Sequence, residues 1–259
     1  MASLSLESGE YEILTNKFPL FRSHLLLVAK ALVPQQMNLM HLEAISSLTR
    51  ACSFCAYFNS WCASASVNHF HTHLIGEMPP VTALPLAPGP LVFGVRCLIP
   101  VGFPGFCYVL KTSELPLVAA MVAAMQADNQ PHNLLLTGRH VYVWPKPHER
   151  PQRSFELYPE TVGGPELIGS FTVYAMDDYE ALSLPAMEEA LRINTAPLPA
   201  RLLRRAAGPA GGNDAAVRAS VAVLSSRSLN LLPCLPALEP PPEPWAQEPG
   251  QEPWTVRGR

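Results

Sequence analysis

The run His69-Phe70-His71-Thr72-His73 constrains this chain more than any other stretch. An extended strand turns successive side chains to opposite sides, so His69, His71 and His73 are predicted to share one face while Phe70, Thr72 and Leu74 share the other. Neighbouring imidazoles on that face lie roughly 6.5 to 7 Å apart at Cα, because each residue advances about 3.3 Å. Three imidazoles at that range repel when all are protonated. They suit a bound anion, a metal ion, or a nucleophile with its supporting groups.

Three readings follow. Satisfied or solvent-facing histidines on an edge strand are the bland one. A metal site is the second, since His-x-His on a strand supplies two ligands and imidazole suits zinc, iron or copper. Nucleophilic catalysis by one neutral imidazole is the third. Periodicity does not separate the last two.

Read outward, the segment runs from Phe58-Asn59-Ser60 through a small-residue stretch to Ser66-Val67-Asn68-His69-Phe70-His71. It resembles the histidine-triad superfamily of nucleotide hydrolases and transferases, and most of all the GDP-hexose phosphorylases of plants and animals. Glu12 to Pro19 followed by His24 to Lys30 looks like the hairpin that opens a histidine-triad half, and Pro34-Gln35 falls where those phosphorylases carry Pro-Gln. Asn133 to Leu136, Val141 to Pro145, Ile168 to Phe171 and Asp177 to Glu180 look like their second half. The likeness covers about residues 11 to 195. It departs at His73, where the phosphorylases have Gln and the hydrolases have His, so the acceptor is phosphate or water.

The resemblance implies an α+β fold, a histidine-triad antiparallel sheet with packed helices, duplicated as in galactose-1-phosphate uridylyltransferases. The expected domain spans residues 1–205, with half-units at about 11–80 and 90–195. It also implies a GDP-hexose phosphorylase-like nucleotidyltransferase that cleaves a nucleoside diphosphate sugar. The alternatives are a dinucleoside polyphosphate hydrolase or phosphorylase, or a catalytically silent nucleotide-binding paralogue. Under this likeness His71 attacks the α-phosphorus, His69 supports it, His73 touches the α-phosphate and Ser66 donates to the departing oxygen. Asn59, Asn68, Asn16 and His24 contact substrate. Imidazole chemistry of this kind needs no cofactor and no metal, because a group with an ordinary pKa near 6.5 is a neutral nucleophile at pH 7. The expected partners are a nucleoside diphosphate sugar or dinucleotide and inorganic phosphate, and the assignment is compatible with a homodimer. Only ten residues precede Tyr11, where family members carry a segment for base and sugar recognition. Weakened nucleotide selection or an uncovered sheet edge is the expected consequence.

Composition permits this. A chain of 259 residues with 48% apolar content supports one well-buried domain and a tail. A net charge of −3, with basic residues scattered apart from Arg201, Arg204 and Arg205, argues against a nucleic-acid footprint. The first twelve residues hold Glu7, Glu10 and Glu12 and no signal-like apolar core, so a cytoplasmic protein with reduced thiols is expected. Residues 81–110 are apolar but interrupted by Pro, Gly and Arg96, which reads as loop then buried strand rather than membrane helix. Cys52-x-x-Cys55 is half a zinc pattern, yet Leu42, Ile45, Leu48, Cys52 and Cys55 also fall on one helical stripe, where cysteine is a small core hydrophobe.

Local patterns predict two strands around Pro19 within 11–30, a helix over 39–57 and the histidine strand over 66–75. Further strands are predicted within 92–110, a helix from Leu115 to Gln126, and a hairpin over 133–144 turned at Thr137-Gly138-Arg139. Asp177 and Glu180 have capping-box spacing, Ser183 precedes Pro185 as a helix start, and Gly163-Gly164 reads as a turn. Residues 206–259, rich in Ala, Gly and Pro, are expected to be a disordered tail in which Trp245 and Trp254 are exposed.

Overall fold

A computed structural model describes residues 2–6 and 9–198 and the backbone of a short strand at 255–258. Of the expected disordered tail, residues 255–258 instead form a strand, and the rest, including the three arginines and two tryptophans named above, lies outside the described residues.

The chain opens with β1 (Ala2–Leu6), β2 (Gly9–Thr15) and β3 (Leu25–Ala29), antiparallel neighbours in that order. Helix α1 (Leu39–Ala51) starts at Asn38, whose side-chain oxygen accepts the His41 N–H. It ends at Ala51, six residues before the expected end, because Cys52 is already extended and Cys55–Asn59 forms strand β4. All five β4 residues are buried. Cys55 therefore belongs to a central strand, with its thiol pushed up to about 12 by burial. A short apolar run covered on both faces carries no alternation, so its pattern also fits a helical stripe. The histidine strand β5 (His71–Ile75) begins five residues later than expected, since 66–70 form an irregular approach in which the Phe70 N–H bonds the Val33 carbonyl.

Strands β6 (Leu86–Val92), β7 (Val95–Pro100) and β8 (Tyr108–Lys111) follow, then α2 (Leu115–Ala127), then the hairpin β9 (His132–Leu136) and β10 (His140–Pro145). β6 was expected to be loop. It lies at a sheet edge, where Pro88 and Pro90 cost no ladder bond, and its register shifts between Pro88 and Leu91. The ten strands form one antiparallel sheet in the order β1-β2-β3-β5-β4-β9-β10-β8-β7-β6. Hairpin, helix, hairpin thus occurs twice, and the two sets meet where β4 pairs with β9.

One face of the sheet is covered by α1 and α2 through Leu42, Ile45, Val118, Met121, Val122 and Met125. The other carries the C-terminal elements α3 (Arg153–Leu157), α4 (Gly164–Leu167), β11 (Ser170–Val173), α5 (Met176–Ala181) and α6 (Leu184–Ile193). Leu167, Phe171, Met187, Ala190 and Leu191 pack there against Tyr57, Leu135, Tyr142 and Trp144. β12 (Thr255–Gly258) pairs in parallel with β11. This is the expected α+β architecture. Ser183 caps α6 as read from the sequence, but α5 starts at Ala175, which places Asp177 inside the first turn instead of at the cap. Among the described residues no helix is long and apolar enough to cross a membrane.

Burial pulls the His41 and His132 imidazoles down to about 4. His132 has its Nδ1 3.0 Å from the Gln130 carbonyl and its Nε2 buried without a partner. A group whose native pKa is depressed below an unfolded value of 6.5 removes stability as pH falls through 6.5 toward 4, because the unfolded chain takes up the proton first. Glu166, raised to about 7 by burial, titrates in the opposite sense, so a paired comparison isolates the effect. His132→Phe is expected to gain about 2 kcal/mol more relative to wild type at pH 5 than at pH 7.5, read from urea unfolding.

Candidate active site

His71 opens β5, where it pairs with Val28 of β3. Its Nδ1 lies 2.9 Å from the backbone carbonyl of His69. A carbonyl only accepts, so Nδ1 carries the proton and Nε2 keeps its lone pair. Burial lowers the His71 pKa, and the neighbouring His69 lowers it further, against the carbonyl's opposing pull. The result is a neutral imidazole with a defined nucleophilic nitrogen.

His69 supports this arrangement through its main chain. Its own ring turns to β3, where Nε2 is 2.9 Å from the Ala29 carbonyl. The three imidazoles therefore do not form one row. The ring that pairs with His73 is His24, which comes from the β2–β3 connection.

The Leu20 N–H donates to His24 Nδ1 at 3.0 Å, which leaves the His24 proton on Nε2. That nitrogen lies 2.9 Å from His73 Nδ1 and donates to it, so the His73 proton must sit on Nε2. The Asn16 amide lies 3.0 Å from the same His24 nitrogen, and the Tyr57 hydroxyl 3.4 Å from it. Tyr57 also stacks on His73 with ring centroids 4.3 Å apart and planes 2° from parallel. Burial, then His24 and His71, hold His73 well below the ordinary histidine range. The His71 and His73 rings meet edge to face at 5.5 Å. Two neutral imidazoles thus stand side by side, one offering a lone pair and the other an N–H.

Metal chemistry would need these nitrogens splayed around a cation. Instead His24 Nε2 and His73 Nδ1 bond each other, and among the described residues no group of three or more His, Cys, Asp or Glu is disposed to hold a metal ion.

The remaining predicted residues shape the loop that leads into β5. Asn59 Oδ1 accepts from Asn133 Nδ2 at 2.8 Å and from the Gly164 N–H at 3.1 Å, and its Nδ2 lies 3.4 Å from the Ser64 carbonyl. Asn133 also donates to the Ala63 carbonyl at 2.9 Å. Asn59 is therefore a strut for the loop. Asn68 accepts the Gln35 N–H at 3.0 Å through Oδ1, and Ser66 is solvent-exposed. The loop is tight enough that Cys62 and Ser64 adopt positive φ, 64° and 78°.

Sequence reasoning missed Tyr57, Asn133 and the segment that starts α4. Gly163-Gly164 is a helix start rather than a free turn: Glu166 Oε2 accepts the Gly163 N–H at 2.8 Å, and Tyr158 donates to Oε1 at 2.9 Å. A Cβ on Gly164 would lie 2.4 Å from the Tyr57 ring and 2.7 Å from Asn59 Oδ1, so only glycine lets α4 close on β4. The signal for this start is the Pro and Glu that follow the glycines, the residues that favour a first helical turn.

Residues 5–89, which hold every predicted site residue, match the sequence profile of the Ap4A phosphorylase N-terminal domain. The fold is similar to that of yeast Ap4A phosphorylase Apa2 in complex with Ap4A, with a TM-score of 0.59 and 18% identity over 72% of this chain and 74% of that one. The crystal structure of Apa2 in complex with AMP gives a TM-score of 0.57 at 18% identity, covering 72% and 73%. At this identity the likeness is one of fold. No curated protein matches by sequence.

The hydrogen-bond directions make the tautomers measurable. Long-range ¹H–¹⁵N correlation spectra at pH 7 are expected to show His71 protonated on Nδ1 and His73 on Nε2. His24→Leu is expected to release His73 from its single tautomer while leaving His71 unchanged.

Proposed function

We propose that this chain transfers a nucleotidyl group from a dinucleoside polyphosphate to phosphate or water through a covalent adduct on His71. The observation that carries the reading is the pairing of a lone pair on His71 Nε2 with an N–H on His73, both in fixed neutral tautomers. The profile match over residues 5–89 and the shared fold support a phosphorylase that handles Ap4A-like substrates.

In the first step His71 Nε2 attacks the α-phosphorus. A P–N bond forms, the bond from that phosphorus to the bridging oxygen breaks, and the remaining nucleoside polyphosphate leaves with the electron pair. The imidazolium that results keeps its Nδ1 proton on the His69 carbonyl, which disperses the new charge. His73 Nε2–H donates to an α-phosphate oxygen, and exposed Ser66 supplies a hydrogen bond to the departing oxygen. In the second step phosphate or water attacks, the P–N bond breaks and His71 is regenerated. Asn16 and His24 act through His73, while Asn59 and Asn68 act through the loop.

A GDP-hexose donor is the second reading, favoured by the unbroken order from Phe58-Asn59-Ser60 to His69-Phe70-His71. The chemistry at His71 is the same for both donors, and both belong to a cytoplasmic nucleotide pool. The two hairpin–helix–hairpin sets, about 11–80 and 90–195, are read as halves of one domain in residues 1–205, with the nucleophile in the first.

Incubation with Ap4A in phosphate is expected to release ATP and ADP; ATP and AMP together identify water as the acceptor. A GDP-hexose with phosphate distinguishes the second donor, through GDP and hexose 1-phosphate. Absence of any nucleotidyl adduct on His71 by mass spectrometry, with both donors, rules the mechanism out. His71→Gly is expected to lower turnover at least about a thousandfold. His73→Gln, which keeps a neutral donor but cannot move a proton, is expected to lower the share of water-derived product.

A further inference from the structure

The register of β4 against β5 pairs Cys55 with Ile75, Ala56 with Leu74 and Tyr57 with His73. Continued by one more step of two, it would set Asn59 opposite His71. The ladder stops before that step, and a side chain takes its place. Gln35 Nε2 donates to the Asn59 carbonyl at 2.9 Å and to the His71 carbonyl at 2.9 Å, while Gln35 Oε1 accepts the His71 N–H at 2.8 Å. One primary amide thus satisfies three backbone groups on two strands, using both of its N–H donors and its oxygen. Gln35 is 1% exposed, so water does not do this work.

The wedge is itself anchored. The Gln35 N–H bonds Asn68 Oδ1 at 3.0 Å. Two residues on, Met37 is clamped to α2: its N–H donates to Gln126 Oε1 at 2.9 Å, and its carbonyl accepts from Gln126 Nε2 at 3.0 Å. Two strands whose facing groups both bond an inserted amide cannot bond each other, so β4 and β5 part at His71. With its N–H and C=O both taken by Gln35, the His71 backbone has a fixed orientation, and the bond from Nδ1 to the His69 carbonyl fixes the ring.

We propose that Gln35 is the positioning residue of the nucleophile: its side-chain amide holds β4 and β5 apart at His71 and aims the His71 imidazole. This rests on the reading of His71 as nucleophile. Only an amide of this length meets two acceptors and one donor. Glu at pH 7 has no donor for the two carbonyls, Asn is one methylene short, and Met fills the space with no hydrogen bonds.

The test has three parts, of which the first needs no variant. In the wild-type protein a through-hydrogen-bond coupling is expected between the His71 amide and the Gln35 side-chain carbonyl; a coupling to a β4 backbone carbonyl overturns the wedge. In Gln35→Glu and Gln35→Asn, ¹⁵N spectra are expected to show His71 losing its single Nδ1–H tautomer while His24 and His73 keep theirs. With a donor that the wild type turns over, kcat is expected to fall about a hundredfold with KM within about threefold, as for a misplaced reacting group. Gln35→Glu is expected to recover part of that loss as pH is lowered, because a protonated carboxyl regains one donor while its other oxygen still accepts the His71 N–H. Gln35→Met with an unchanged His71 tautomer and unchanged kcat overturns the proposal. A wild type that turns over neither donor sinks the reading of function, whereas the tautomer of His71 still decides the role of Gln35.

Discussion

The hydrogen bond from His71 Nδ1 to the His69 carbonyl is the constraint on which the rest of the site depends. It sets which nitrogen carries the proton, and so which one holds the lone pair. It also requires that residues 66–70 leave strand geometry, because the carbonyl must turn toward the ring two positions ahead. The loop is bent by this need and then held by others: Asn59 and Asn133 at its start, Asn68 and Gln35 at its end. Removing regularity from 66–70 is what allows regularity from 71 to 75.

Neutrality is the second theme. The rings of His24, His71 and His73 lie close together and would repel if charged. The structure avoids this by burial and by directional bonds rather than by counter-ions. The Leu20 N–H fixes the His24 tautomer, His24 fixes that of His73, and Tyr57 covers the His73 face. Each ring presents one donor and one acceptor, so the chain of bonds has a single direction. The glycines at 163 and 164 lie next to this cluster, since their lack of a Cβ lets α4 close on Tyr57, Asn59 and Ser64.

Much of the fold was legible in local pattern. Helix α2, the β9–β10 hairpin at Thr137-Gly138-Arg139 and the Ser183 cap all fall where spacing and turn chemistry put them, because each depends on neighbours within a few residues. The end of α1 was not legible: Cys55 to Asn59 is buried on both faces, and a strand in that setting loses the alternation that distinguishes it from a helix. The edge strand β6 was hidden by its prolines, which sequence reading takes as loop until the edge position is known.

For the site, the sequence by itself determined which chemistry was available: imidazoles at alternate positions, a small-residue approach and the Pro-Gln and Gly-Gly elements. It also carried the resemblance that singled out His71. Tertiary structure alone decided the pairing. His73 meets His24, separated by 49 residues, and not His69, which is four away. Asn59 braces the loop instead of standing open beside His71, and Gln35 fills the place where two strands would have joined. The physical reason is that hydrogen-bond direction and burial belong to the packed sheet. A residue's type states what it can donate or accept, and only its neighbours in space decide which of those bonds it makes.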